Sequence, residues 1–177
     1  MTPWVQRKGL ASKRAGSDTC LYTLEVFIIS GPIAKSFAKK NKVISRTIQI
    51  RRDQTLEDLH YAIFDAFNRE EQHMFEFQLD GKGPMDPKAR RYVLHADMTD
   101  LVSDRKPAGD VHRTTIESLG LKVGEAFGYW FDFGDDWWHQ INVIAIDEKA
   151  GRGKFPKVTR RTGESPPQYV DWDEEEE

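Results

Sequence analysis

The chain has one cysteine, Cys20, in 177 residues. That excludes an internal disulfide framework and any zinc site built on several thiolates. Long apolar runs are also missing. The longest, Val26–Ile29 and Val143–Ile146, fall far short of the roughly 20 apolar residues a membrane-crossing helix needs. The basic N-terminus has no apolar stretch behind its charges, so it does not read as a secretory signal, and a cytoplasmic location is expected. Hydrophobic residues are sparse at 38%, and mean hydropathy is -0.65. Yet ten Phe, five Trp and five Tyr are too many for a disordered chain. The length fits one domain with a core that needs no staples.

The near balance of charge hides an asymmetry. There are 26 basic and 29 acidic residues, for a net charge of -3. Six of the acids lie in the last seven positions: Asp171, Asp173, Glu174, Glu175, Glu176 and Glu177. Residues 1–170 therefore carry +3. At the other end Arg7, Lys8, Lys13 and Arg14 are interspersed with glycine and serine. The expected organisation is a flexible basic arm over residues 1–20, one domain over 21–170 and an acidic tail over 171–177.

Periodicity supplies the elements. Leu21–Ser30 reads as a strand ending at Gly31-Pro32. Val43–Arg51 alternates, with Ile44, Ile48 and Ile50 on one face and Arg46 as the exception. Between them Ala34, Phe37 and Ala38 share a helical face within Ile33–Lys42. The clearest helix is Leu56–Asn68, capped by Thr55, with Leu56, Leu59, Ile63, Phe64 and Phe67 at helical spacing. Met74–Leu79 alternates again. Asp80–Arg91 reads as a loop, Tyr92–His95 as a short strand, and Asp97–Asp110 as polar. A short helix runs from Thr114 or Thr115 to Leu119, stopped by Gly120. Phe127–Phe133 and Trp137–Ile146 form a hairpin around Gly134-Asp135-Asp136. Beyond Ala150, glycine, proline and charge dominate. The fold class expected is α+β: a mixed, mostly antiparallel sheet with one main covering helix, a β-grasp-like start and a long C-terminal hairpin. Its core is expected from Ile44, Ile48, Ile50, Phe75, Phe77, Phe131 and Phe133, covered by Leu59, Ile63 and Phe67.

The hairpin Phe127–Ile141 contains Tyr129, Asp132-Phe133-Gly134-Asp135, Trp137 and His139. That combination resembles the Ri-plasmid open-reading-frame-three-like family, also called insertion-element passenger proteins. Three further pieces fit: Thr55-Leu56-x-x-Leu59-His60 on the helix, His73 before Phe75-x-Phe77, and Gly163-x-x-Pro166-Pro167-x-Tyr169. Many relatives follow the paired prolines with an acid, a cysteine and two glycines; here Gln168-Tyr169-Val170 stands instead, which removes any thiol role there. The resemblance implies a fold and a link to mobile elements, and no settled biochemical activity. The resolvase-like names some relatives carry find no recombinase nucleophile with its arginine set here.

The candidate site comprises Asp132, Asp135, Asp136, Trp137 and His139 on the hairpin, with His60 and His73 from neighbouring elements. Carboxylates with imidazoles can hold a divalent metal, and a metal can activate water on a phosphodiester. If a metal is held, Asp135, His139 and His60 are the ligands expected. The same residues also have structural readings. Asp135 suits the turn, Gly134 suits a left-handed angle there, and Phe127, Tyr129, Phe131 and Phe133 form a core-facing stripe. Strand parity puts His139 with Ile141 and Val143 on the apolar face, and sends Trp137 and Trp138 to opposite faces. Asp132-Phe133-Gly134 is not a kinase motif, and Gly151-Arg152-Gly153-Lys154 lacks the phosphate-loop spacing. The leading reading is a non-catalytic binding or accessory module for nucleic acid or another protein, with no cofactor and no membrane contact. The alternative is a metal-dependent hydrolase or nuclease working from the Asp132–His139 hairpin.

Overall fold

Eight strands form one mixed sheet in the order β5-β4-β3-β6-β7-β1-β2-β8. In the computed structural model, which describes residues 20–96 and 105–171, they are β1 (Leu21–Ser30), β2 (Ser45–Arg51), β3 (Phe75–Leu79), β4 (Arg90–Val93), β5 (Gly109–Asp110), β6 (Ala126–Phe131), β7 (Trp137–Asp147) and β8 (Lys157–Thr162). Every neighbouring pair is antiparallel except β4 with β5. The basic arm, up to residue 19, and the tail from residue 172 lie outside the described residues, as does part of the polar loop, 97–104.

Two helices accompany the sheet: α1 (Lys35–Lys40) and the long α2 (Leu56–Ala66). Thr55 caps α2 reciprocally with Asp58: the Asp58 amide donates to Thr55 Oγ1 at 3.2 Å, and the Thr55 amide to Asp58 Oδ2 at 2.8 Å. Asn68, with φ of 53°, turns the chain out of the helix. Leu56, Leu59, Ile63 and Phe67 are buried against the sheet face formed by Leu24, Val26, Ile48, Ile50, Phe75, Phe77 and Phe131. The expected grasp of helix over sheet is present, with the β6–β7 hairpin lying between β1 and β3.

Three local expectations change. Phe133 is not in the core. The strand ends at Phe131 because Asp132 enters the left-handed region at φ 58°, which breaks the alternation. Phe133 instead packs on Trp130, with ring centroids 4.0 Å apart. Gly134 does not supply the turn's left-handed angles; those belong to Asp132 and to Asp136, at φ 54°. Residues after Ala150 include a full strand, β8, paired to β2 from Ser45↔Thr162 to Gln49↔Lys157. Arg46, the exception on an apolar face, stays on that face and is buried.

Candidate functional site

The hairpin's core face lays Tyr129 between two histidines. Tyr129, His60 and His139 are each about 1% exposed. His60 Nε2 lies 2.9 Å from Gln72 Oε1 and Nδ1 lies 2.7 Å from Tyr129 Oη. The amide oxygen only accepts, so Nε2 donates to it, and the Tyr129 hydroxyl donates to Nδ1. His60 also stacks on Phe75 at 3.6 Å. His139 Nδ1 donates to the Tyr129 carbonyl at 3.2 Å, leaving Nε2 buried without a partner. Burial lowers the His60 pKa to about 4. Burial, helped by the Arg69 charge, lowers that of His139 to about 3. Both imidazoles are neutral at pH 7.

Arg69 closes this cluster. Its guanidinium lies 3.8 Å over the Trp137 ring, is 7% exposed, and has neither terminal nitrogen hydrogen-bonded. Burial lowers its pKa to about 10, against the opposing pull of Tyr129 and Asp132. The cation–π contact supplies what no carboxylate does directly. Trp137 is itself fully buried, and Gly31 passes so close that a Cβ there would sit 2.4 Å from the indole. Sequence reasoning missed Arg69, whose only signal is a cation just past the exit of an apolar-faced helix.

The turn holds the second group. Asp132 Oδ1 accepts from the Gly134 amide at 3.1 Å and the Asp135 amide at 3.3 Å, the role expected of Asp135. Its Oδ2 lies 3.4 Å from His73 Nε2. That nitrogen donates to Tyr169 Oη at 2.8 Å, and Tyr169 donates to Glu71 at 2.7 Å. The Glu71 bond pushes the Tyr169 pKa up to about 12. Asp136 accepts from Trp130 Nε1 at 2.9 Å on the opposite face of the sheet, and Asp135 is exposed. The candidates thus separate: His60 and His139 flank Tyr129 inside, His73 meets Asp132 at the surface, and Asp135 and Asp136 project from the turn. Among the described residues no group of three or more His, Cys, Asp or Glu is placed to hold a metal ion.

The C-terminal motif is a clasp. Arg46 donates to the carbonyls of Ala66 at 2.9 Å, Thr162 at 3.0 Å and Gly163 at 3.1 Å, and to Ser165 Oγ at 2.9 Å. Gly163 has φ of 72°, and a Cβ there would stand 2.4 Å from the Val43 carbonyl, so both angle and space demand glycine. Gln168 is buried and uses its side-chain amide as a strand would. It accepts from the amides of Glu70 at 2.8 Å and Glu71 at 3.0 Å, and donates to the Glu71 carbonyl at 2.9 Å.

The outer strand β8 carries a charge pattern that composition alone hides. Lys149, Arg152, Lys154, Lys157, Arg160 and Arg161 fall between Glu148 and Glu164 with no acid among them. All six are exposed, and among the described residues no ion pair holds any of them. Asn41, which follows α1, accepts from the Glu164 amide at 2.9 Å. That bond joins the exit of α1, whose Lys35, Lys39, Lys40 and Lys42 are exposed, to the segment after β8.

No curated protein matches the chain. Among solved structures it is similar to a protein of unknown function, MM3350, from Methanosarcina mazei Go1, with a TM-score of 0.59 and 21% identity, covering 82% of this chain and 71% of the other. That likeness concerns the fold. The profile of the family described as plasmid pRiA4b ORF-3-like protein matches residues 35–172, which take in α1, α2, the hairpin with Tyr129 and His139, and the clasp, so the chain belongs to that family.

Proposed function

We propose that the protein is a non-catalytic nucleic-acid-binding module. The observation that carries this reading is the acid-free run of exposed cations on β8 and its lead-in. Six exposed cations stand along one outer strand and its lead-in with no acid between them. Exposed cations in a row are the electrostatic footprint of a phosphate backbone. A second support is what the hairpin residues are already doing. His60 and His139 are bonded inside the core, and Asp132 holds the turn. A binding role needs none of them to move, whereas hydrolysis would need them gathered on one cleft. A nucleic-acid partner also suits a family described by a plasmid reading frame.

The test is fluorescence anisotropy with a labelled duplex at several salt concentrations. Binding should weaken steeply with salt, as counterion release requires. The double variant Lys157→Glu, Arg160→Glu should bind at least about tenfold more weakly, from the loss and reversal of two phosphate contacts. Affinity indifferent to both salt and charge reversal rejects the proposal.

A further inference from the structure

The sheet face turned away from α2 carries a groove of about 280 Å³, lined in part by Gln78, Lys82, Pro84, Gly128, Trp138 and Gln140. Register explains its shape. Gln78, Gly128 and Gln140 are directly paired across β3, β6 and β7, and Phe27 of β1 continues the row. Gly128 is the gap in that row. A Cβ placed there would sit 3.7 Å from the Gln78 carbonyl, an ordinary contact, and its backbone angle is not left-handed. Neither packing nor conformation therefore requires glycine at this position. Mid-strand glycine often marks a bulge, a bend or a close approach to the backbone, and the register at Gly128 is unbroken on both sides, which leaves no bulge there.

The walls match a planar, polar-edged guest. Trp138, 8% exposed, is fixed in plane at the groove's base by stacking on Trp130 at 4.8 Å and 7°. Gln140 is exposed, and donating one N–H to Asn142 at 2.9 Å leaves its other N–H and its carbonyl for a base edge. Lys82 stands exposed at the mouth. From β7 to β8 is three strand spacings, about 14 Å, within the span of the roughly 4–16 nucleotides that a single-strand-binding domain covers.

We infer that this groove takes one unstacked nucleobase of a single strand, whose phosphates run from Lys82 toward the basic edge. The inference rests on the nucleic-acid reading and narrows it from any phosphate backbone to single-stranded DNA or RNA.

The test compares a labelled 12-mer of deoxythymidine with a duplex of the same length on the full chain. Gly128→Val should fill the groove, and Gln140→Glu should repel the strand from an exposed position. Each should weaken single-strand binding at least about fivefold, the order of one lost polar contact to the base, and leave duplex binding unchanged. Circular dichroism checks the valine variant's fold; if that fold fails, the glutamate variant decides. Unchanged single-strand binding in a folded variant overturns the groove. If Lys157→Glu, Arg160→Glu weakens both ligands in that case, the nucleic-acid reading survives; if it weakens neither, that reading falls as well.

Discussion

Two neutral imidazoles sealed beside Tyr129 make acid the natural weakness of this protein. His60 and His139 titrate near 4 and 3 in the fold, against an ordinary value near 6.5 when unfolded. Between those limits the unfolded chain binds protons that the native chain refuses. Stability is therefore full above about pH 6.5 and drains away as pH falls toward 4, at up to about 1.4 kcal/mol per pH unit for each histidine. Urea midpoints measured at pH 7, 5.5 and 4.5 should fall steadily. In His139→Gln the slope over that range should shrink, because one of the two protonations is gone. An unchanged slope would remove His139 from the explanation. Parity along the strand was enough to place His139 on the core face. The Arg69 charge that helps keep it neutral was not legible, because it arrives from a segment seventy positions upstream.

At the scale of elements, the C-terminal segment is held by two buried polar side chains, Arg46 at its start and Gln168 further along. Arg46 reaches Ala66, Thr162, Gly163 and Ser165 at once, and its guanidinium lies over Phe67, with the guanidinium carbon 4.9 Å from the ring centroid. Arg46→Met keeps the length and removes every donor, leaving carbonyls unsatisfied in a buried place. The expected cost is about 3 kcal/mol, at the level of breaking a buried charged network. Residues 163–171 should also gain protease sensitivity before global unfolding; limited proteolysis followed by mass spectrometry reads this directly. The same segment shows where pattern reading stops. Helix α2 and the β6–β7 hairpin declare themselves because Leu59, Ile63 and Phe67, or Phe127, Tyr129 and Phe131, repeat at the period of their element. Strand β8 offers Val158 as its lone apolar residue, and the place beside Arg46 is taken by Arg161, which donates to the Ala66 carbonyl at 2.5 Å. An outer strand that buries little leaves little periodicity. Phe133 misleads for the opposite cause: it keeps the alternation after Asp132 has already ended the strand.

For the whole molecule, the ends of the sheet matter as much as its middle. A strand with one side unpaired is a template for the next copy of the same chain, and proteins that survive at high concentration blunt it. Here one end, β5, is two residues long, too short to recruit anything. The other, β8, is six residues long, and is defended by its charge and by an irregularity in its pairing with β2 beside Thr47 and Ile48. The cations that would greet phosphate thus also keep copies from adding edge to edge. Lys157→Ser, Arg160→Ser should leave the fold intact yet nucleate thioflavin-positive assemblies at concentrations where the parent chain stays clear. High salt should push the parent the same way by shortening the range of repulsion. A polyanion bound along the strand would then act as a solubility partner, and the protein's shelf life would depend on its company.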